Sequence, residues 1–245
     1  MDTENLSYEP PPAFIDACAA IGVVPSAEQM VSLQTYLTFM LTTNEQFNLT
    51  SVRDPAEAWM RHILDSLNIL PFIGDAESLM DIGSGAGLPG MVIAIMRPEL
   101  EVTLVEATGK KARFLADAAA ELDLDAERSR VLQARSEDLC HDLDYRETID
   151  VVTARGVGAL CALVEYTLPL IRWEGCLLAM KGARGEDEVK EARQATGLLG
   201  GRLTGIHSSL PGVNDDACIG EIEKVKPSPE RFPRAYGLIK KNPLR

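Results

Sequence analysis

From Ser78 onward, short apolar segments alternate with longer amphipathic ones, a pattern typical of a doubly wound α/β domain. The expected strands are Leu79–Ile82, Val102–Glu106, Arg130–Ala134, Ile149–Ala154 and Gly175–Lys181, then an antiparallel edge of Arg202–Ser208 and Ala217–Val225. The expected helical segments are Gly90–Met96, Gly109–Leu122, a turn after Ser136, Gly158–Ile171 and Gly185–Leu199. The pattern therefore predicts a mostly parallel, seven-stranded sheet with helices on both faces.

The first 75 residues show helical patterns and no strand pattern. We therefore expect an N-terminal helical extension over residues 1–75 and the α/β domain over residues 76–245. Residues 1–12 are polar and end in P-P-P, so little order is expected there. The apolar residues between Ser26 and Phe47 follow helical spacing and predict one long helix.

A second helix is indicated after residue 53. Asp54 suits an N-cap, Pro55 the first helical position, and Glu57 the closing residue of a capping box. Apolar residues then line one face until Pro71, where we expect the helix to end.

The segment Leu79–Gly90 reads L-M-D-I-G-S-G-A-G-L-P-G, a short strand followed by an acid and a glycine-rich loop. Glycine lacks a Cβ, so such a loop can turn sharply and bring its backbone against a ligand. The helix that follows points its first N–H groups at the same place. This segment is therefore the predicted cofactor-binding part of the domain.

Two cofactors fit this loop. Gly85, Gly87 and Gly90 satisfy the G-x-G-x-x-G motif of dinucleotide folds, with Glu106 where the ribose-binding acid belongs. The first three glycines also form G-x-G-x-G, preceded by Asp81 at the strand end. An acid at that point disfavours a pyrophosphate and suits the cationic S-adenosylmethionine, which has no phosphate. The local residues favour S-adenosylmethionine and leave the dinucleotide open.

Composition narrows the class of protein. The 245 residues, 46% of them hydrophobic, suit one compact domain with an extension. The sequence contains no run of about 18 apolar residues, so no membrane span is predicted. The N-terminus lacks a signal-peptide pattern, and the five scattered cysteines predict free thiols in a reducing cytoplasm. The three histidines lie far apart, so no metal site is expected.

Charge is unevenly spread along the chain. The formal net charge is −13, yet residues 224–245 carry seven basic residues and one acid, or +6, which leaves −19 for residues 1–223. A basic end on an acidic body can hold one phosphate-rich partner and resist indiscriminate binding. The candidate RNA-binding residues there are Arg231, Arg234, Lys240 and Lys241. A solvated tail is the alternative.

Several phrases carry a more specific signal. They are F-N-L-T-S-V-R-D-P (Phe47–Pro55), R-H-I-L-D-S-L (Arg61–Leu67), the glycine loop, A-R-S-E-D-L (Ala134–Leu139), T-A-R-G-V (Thr153–Val157), M-K-G (Met180–Gly182) and F-P-R-A-Y-G-L-I-K-K-N-P-L (Phe232–Leu244). In this order they resemble the RsmG family, also called glucose-inhibited division protein B. The resemblance implies a bacterial S-adenosylmethionine-dependent methyltransferase. Its substrate would be guanine N7 in the decoding-region loop of 16S ribosomal RNA, free or in the small ribosomal subunit.

The resemblance also implies the cofactor-binding positions Gly83, Leu88, Glu106, Ser136, Glu137 and Arg155, and the pattern of the glycine loop adds Asp81 and Gly85. Gly83 and Leu88 would contact the methionine and ribose portions, and Glu106 the ribose hydroxyls. Ser136 and Glu137 would lie at the adenine edge. The family usually has alanine at the Ser136 position, and a small residue is kept there.

The expected chemistry requires no general base, because guanine N7 has a lone pair and no proton to remove. The sequence correspondingly lacks the D-P-P-Y or N-P-P-Y phrase of amine methyltransferases. The candidate catalytic residues are Arg155 and Lys181, which would hold the guanine O6 and a nearby phosphate. A buried ion pair and a strand-end lysine are the alternatives for these two.

Other assignments stay open. His62, Asp65 and Ser66 lie within about one helical turn and either brace the pocket, contact RNA or serve the fold alone. Lys110, Lys111 and Arg113 are interpreted as solvated or RNA-facing. A nicotinamide oxidoreductase and a non-catalytic ribosome-binding protein on a methyltransferase fold are the competing functions.

Overall fold

The computed structural model describes residues 8–208 and 217–244. Its helices are α1 (Pro12–Ala20), α2 (Ala27–Asn44), α3 (Pro55–Ala58), α4 (Asp65–Leu67), α5 (Gly90–Met96), α6 (Gly109–Glu121), α7 (Ser136–Leu139), α8 (Leu160–Thr167), α9 (Gly185–Glu191), α10 (Arg193–Leu198) and α11 (Tyr236–Lys241). Its strands are β1 (Ser78–Ile82), β2 (Glu101–Val105), β3 (Ser129–Leu132), β4 (Ile149–Arg155), β5 (Ile171–Lys181), β6 (Gly201–Ser208) and β7 (Cys218–Lys224). A π-helical segment (Trp59–Leu64) joins α3 to α4, and 3-10 turns cover Leu70–Phe72 and Leu168–Leu170.

One sheet holds the seven strands in the order β3-β2-β1-β4-β5-β7-β6. Strands β1 to β5 run parallel, and β7 pairs antiparallel with both β5 and β6. The prediction of a doubly wound, mostly parallel seven-stranded sheet is confirmed. The strand order reverses between β1 and β4, and ligands bind near such a point, outside the carboxyl ends of the strands.

The core has two parts, one on each face of the sheet. Leu79 and Leu104 pack with α2, α5 and α6, whereas Met80 and Val105 pack with α8, α9 and α10. Neighbouring residues of one strand point to opposite faces, so both alternate sets are buried. That double burial explains why these strands read as continuous apolar runs.

The N-terminal helices pack on the α5 and α6 face. Helix α2 begins with a capping box between Ser26 and Gln29, and the Gln29 amide also donates to the carbonyl of Met96. Helix α1 was not predicted; its Phe14 is buried against the ring of Trp59, 4.7 Å between centroids. Residues 1–7, most of the segment expected to have little order, lie outside the described residues. The division of the chain at residue 75 stays a prediction.

The second N-terminal helix differs in part from its prediction. Asp54 is the N-cap and accepts from the Glu57 amide at 2.8 Å, as expected. The Glu57 carboxylate, however, pairs with Arg61 at 2.6 Å, and only the Asp54 half of the predicted capping box is present. The helix ends at Leu67 and not at Pro71.

No helix of the described residues is long and apolar enough to cross a membrane.

Candidate functional site

The glycine loop follows β1 and crosses the carboxyl end of β2. The amides of Gly83 and Ser84 both donate to the carbonyl of Val105, at 2.9 and 3.1 Å. Gly83 has φ +70°, and a Cβ there would lie 2.6 Å from a methyl carbon of Val157. A side chain at this position would meet both backbone strain and a clash, so glycine is required.

Asp81 lies beneath this loop and has no exposed surface. Its Oδ1 accepts from the Thr153 hydroxyl at 2.9 Å, and its Oδ2 accepts from the Gly90 amide at 3.2 Å. Burial raises the pKa of Asp81 to about 6. The carboxyl group therefore joins β1 to β4 and to the start of α5. Direct contact between Asp81 and a cofactor cation remains a prediction.

Glu106 follows β2 and holds the loop from the other side. Its Oε2 accepts from the Gly85 amide at 3.0 Å and its Oε1 from the Thr108 amide at 2.7 Å. Each carboxylate oxygen has further lone-pair capacity, so the side chain can still accept from a ligand. Leu88, the other predicted contact in the loop, is buried in the core against the N-terminal helices, and its cofactor contact stays a prediction.

A cavity of about 140 Å³, here the loop cavity, lies where the strands end. Its lining residues are Ile82, Gly83, Val105, Glu106, Ala107, Ala134, Arg135, Ser136, Glu137, Val157, Tyr166 and Tyr236. The fold thus brings together four predicted cofactor residues from three separate strand ends. Ser136 points its hydroxyl at the carbonyl of Tyr166, which fixes the cavity wall.

Glu137 contributes an unusual group to the loop cavity. Its Oε1 is buried and has no hydrogen-bond partner among the described residues. The ion pair that reaches it, from Arg135, spans 3.8 Å. A buried acceptor without a donor costs free energy, so this oxygen fits a ligand that brings its own N–H.

Two aromatic residues of this cavity were not among the predicted site residues. Tyr166 and Tyr236 stack with their ring centroids 6.3 Å apart, and the Arg135 guanidinium lies 4.6 Å from the centre of the Tyr236 ring. Tyr236 belongs to a phrase of the resemblance, but no pattern in the sequence linked it to the distant A-R-S-E-D-L segment. These rings offer a flat surface at the mouth of the loop cavity.

A second cavity, here the Arg155 cavity, has a volume of about 250 Å³. Its lining residues are Arg61, His62, Asp65, Asn68, Arg155, Gly156, Met180, Lys181, Gly182, Ala217, Cys218 and Ile219. Gly156 lines this cavity and its chain neighbour Val157 lines the loop cavity. The segment after β4 is therefore the wall that the two cavities share.

Arg155 is held from the N-terminal helices. Its Nη1 donates to Asp65 Oδ2 at 3.0 Å and to the carbonyl of Arg61 at 3.3 Å. Burial raises the pKa of Asp65, and the charge of Arg155 opposes that rise. Burial also lowers the pKa of His62 to about 4, and its Nε2 lies 2.6 Å from the Thr50 hydroxyl. The imidazole is therefore neutral at neutral pH.

Lys181 ends β5 and lies at the same cavity. Its Nζ donates to the carbonyl of Gly158 at 2.6 Å and pairs with Glu188 Oε2 at 3.1 Å. The structure thus brings both predicted catalytic cations to one cavity, each with a carboxylate partner. Ser66 lies apart from them and donates to the carbonyl of His62 within the helix.

The basic C-terminal segment is not a uniform surface. Arg234 makes a two-pronged ion pair with the buried carboxylate of Glu165, both contacts at 2.8 Å. Lys224 is 1% exposed and pairs with Glu147 at 3.0 Å. Arg234 therefore neutralises a buried acid, and Lys224 is itself buried beside the partly exposed Glu147, which charge counting along the sequence cannot reveal. The remaining candidates, Arg231, Lys240 and Lys241, are exposed.

Within the described ranges, no group of three or more His, Cys, Asp or Glu side chains is arranged to hold a metal ion. All five cysteines fall in those ranges and are free thiols.

The sheet order, the loop cavity and its acids define the fold of the S-adenosylmethionine-dependent methyltransferases. A putative S-adenosylmethionine-dependent methyltransferase from Methanococcus maripaludis superposes with a TM-score of 0.54, covering 78% of this chain and 92% of its own. TYW2 from M. jannaschii, solved in complex with AdoMet, gives 0.51 over 66% and 77%. The identities are 14% and 13%, so the likeness is one of fold.

Sequence similarity identifies the family. Residues 29–213 match GidB, rRNA small subunit methyltransferase G. Proteins named ribosomal RNA small subunit methyltransferase G are 45% identical over 91% of this chain and 95% of their own in Roseiflexus castenholzii, and 43% over 94% and 97% in Chloroflexus aggregans. The chain belongs to this family. Membership decides the choice that the glycine loop left open, since a methyltransferase of this fold takes S-adenosylmethionine as its cofactor.

Proposed function

We propose that this protein transfers a methyl group from S-adenosylmethionine to N7 of one guanine in small-subunit ribosomal RNA. The observation that carries the proposal is the wall of residues 155–157 shared by the two cavities. A cofactor in one cavity and a base in the other would meet at this wall. The names of the relatives support ribosomal RNA as the substrate. Such a substrate is consistent with the cytoplasmic location that the cysteines predict.

The loop cavity suits the adenosine part of the cofactor. Glu106 has acceptor capacity for ribose hydroxyls, and the unpartnered Glu137 Oε1 suits the 6-amino group of adenine. The ring of Tyr236, backed by Arg135, offers a stacking surface for a planar base. S-adenosylmethionine supplies an electrophilic methyl group on a positively charged sulfur.

In the Arg155 cavity, Arg155 is the candidate group for binding the base. Both hydrogen bonds that Arg155 donates within the described residues use Nη1, so Nε and Nη2 remain available to donate. An arginine fork matches the O6 edge of guanine, next to N7. Lys181 is already bonded to Gly158 and Glu188, and we assign it to positioning the shared wall beside Arg155.

The surroundings suit a reaction that depends on the positioning of the reactants and requires no general base. Guanine N7 attacks with its own lone pair, so no proton has to be removed from it, and His62, with a pKa of about 4, would be only a weak proton acceptor. Holding donor and acceptor in line lowers the barrier by up to roughly 7–11 kcal/mol when the alignment is ideal. Methylation leaves a positive charge on the base. Asp65 and Glu188 already neutralise the two cations here, which limits repulsion of that charge.

The proposal is tested with methyl-labelled S-adenosylmethionine, purified protein and small-subunit particles from cells that lack it. The RNA is then digested and its nucleosides are separated. Label in a single 7-methylguanosine supports the proposal. Label in another nucleoside would overturn the acceptor atom. Cofactor binding without labelling of particles or free RNA would favour the non-catalytic ribosome-binding alternative.

A further inference from the structure

A groove of about 570 Å³ lies between the end of α2 and the start of α6, outside both cavities. It is lined by Phe39, Thr43, Gln46, Phe47, Gly109, Lys110, Arg113, Phe114 and Asp117. The rings of Phe39 and the buried Phe114 stack, with 5.6 Å between their centroids and 17° between their planes. Phe47 lies beside them and is half-buried, so it remains accessible from the groove. We call this feature the α2–α6 groove.

Two exposed cations line the groove beside these rings. Lys110 and Arg113 make no ion pair within the described part of the chain, although Asp117 lies one helical turn beyond Arg113. The protein carries a net charge of −13, so acids are in excess. Lys110 and Arg113 nevertheless pair with none of them in the described residues, which leaves both cations available to an anionic partner. Aromatic surfaces that accept stacked bases, flanked by cations for phosphates, characterise single-strand RNA grooves.

The groove is connected to the proposed active site through two short chain segments. Gly109 lines the groove and Glu106 lines the loop cavity, three residues earlier. Phe47 lines the groove, and Thr50, three residues later, contacts His62 at the Arg155 cavity. Three residues span roughly 10 Å at most. A nucleotide in the groove would therefore be a near neighbour, along the same RNA strand, of a base in the Arg155 cavity.

The segment between Phe47 and Thr50 is held in place. The side-chain carbonyl of Asn44 accepts from the amides of Leu49 and Thr50, at 2.7 and 2.9 Å. Asn44 itself is buried at the end of α2. The ring of Phe47 is thus carried by a segment with fixed ends, which reduces the entropy lost when a base stacks on it.

We propose that the α2–α6 groove binds the single-stranded RNA that flanks the methylated guanine. A base stacks on Phe47 beside Phe39, while Lys110 and Arg113 bind backbone phosphates. The identity of this RNA rests on the proposed function, but the binding of a single strand in the groove does not. The two are therefore tested separately.

The first measurement is fluorescence anisotropy with a labelled, guanine-free single-stranded RNA of about 12 nucleotides, a length within the usual site sizes. Lacking guanine, this probe reports on the groove and not on methylation. Phe47→Leu keeps apolar volume and removes the aromatic face, and should weaken binding about 5- to 150-fold. Lys110→Gln with Arg113→Gln should lower the salt slope of log affinity by about 1.4, or about 0.7 for each lost phosphate contact.

Arg193→Gln is the matched control. Arg193 is an exposed cation on α10, which packs on the opposite face of the sheet, so it should leave affinity and salt slope unchanged. Affinity for S-adenosylmethionine, measured by calorimetry, should stay at the parental value in every variant. An unchanged affinity for S-adenosylmethionine shows that the variants are folded. On small-subunit particles, the groove variants should raise KM and keep kcat.

The outcomes separate the groove from the function. Parental RNA affinity in both groove variants would overturn the groove proposal, whatever the methylation result. Weakened binding to particles with unchanged binding to RNA would mean that a ribosomal protein occupies the groove, and would also overturn it. Groove variants that lose the RNA probe, in a protein that labels no guanine, would support the groove and reject the proposed methylation.

Discussion

Arg155 Nη1 lies 3.0 Å from Asp65 Oδ2, which joins the end of β4 to helix α4, 90 residues earlier in the chain. The pair lines the Arg155 cavity, so the N-terminal helices form part of the candidate site and do not merely cover the sheet. Asp65 also sets the direction of the guanidinium, because Nη1 is the atom that it holds.

The Arg155–Asp65 pair should be energetically coupled. Because burial raises the pKa of Asp65 in spite of Arg155, Asp65→Asn should leave the free energy of unfolding at neutral pH unchanged or raise it. Methylation should fall more than affinity for S-adenosylmethionine. A double-mutant cycle with Arg155→Gln measures the coupling by urea unfolding. Glu57→Gln, in the exposed pair with Arg61, is the control and should change stability little. Simple additivity in the cycle would show that the contact carries no energy.

The unpartnered oxygen of Glu137 predicts opposite effects on stability and on binding. Glu137→Gln should leave the unfolding free energy unchanged or raise it, because it removes a negative charge whose buried Oε1 has no hydrogen-bond donor. The same change should weaken S-adenosylmethionine about 5- to 10-fold, or about 1–1.5 kcal/mol. Titration calorimetry and urea unfolding measure the two quantities. Asp138→Asn, on the exposed neighbour, should affect neither. Unchanged cofactor affinity in Glu137→Gln would remove Glu137 from the adenine site.

Gly83 and Gly156 separate backbone strain from steric clash. Gly156 has φ +72° and nothing within 4 Å of an added Cβ, so Gly156→Ala should lose about 1–2 kcal/mol from strain alone. Gly83→Ala should lose clearly more, since its Cβ meets Val157 at 2.6 Å. Adding Val157→Ala should recover the difference, after allowance for the effect of Val157→Ala alone. Equal stability of the two single variants, measured by thermal unfolding, would contradict the geometry of the shared wall.

Asp81 predicts a specific pH dependence of stability. Its pKa in the folded chain is about 6, above the value of about 4 for an unfolded aspartate. Between these values the folded chain binds more protons, so this contribution to stability is complete below pH 4 and lost as pH rises through 6. Relative to Asp81→Asn, the parent should therefore lose about 2–3 kcal/mol between pH 4 and 7. Taking the difference removes the effects of Asp65 and His62. A difference that is flat with pH would contradict a buried acid here.

The C-terminal cations should divide into two groups. Arg234→Gln leaves the Glu165 carboxylate buried without its partner and should lower the unfolding free energy by about 2–4 kcal/mol. Lys240→Gln with Lys241→Gln should leave stability unchanged and weaken binding to small-subunit particles at low salt. Chemical unfolding and a filter-binding assay measure the two effects. If the two lysine substitutions change neither stability nor particle binding, Lys240 and Lys241 are simply solvated and do not bind RNA.

Local pattern accounts for most of the secondary structure, and its errors have tertiary causes. Strand β1 begins one residue before its predicted start, and α5 has its predicted bounds. Strand β5 begins at Ile171 and not at Gly175, because Ile171 pairs with Ile149 of β4. The single helix predicted over Gly185–Leu199 is two helices that meet at Ala192.

By itself the sequence determined the class of fold, the glycine loop and the acid at Glu106, because each depends on residues close together in the chain. Only the tertiary structure decided how Asp65 meets Arg155, that Tyr236 closes the loop cavity over Arg135, and that Arg234 serves a buried acid. These contacts join segments that are far apart in sequence. No local periodicity encodes them, since they form only when the helices and the C-terminal segment pack onto the completed sheet.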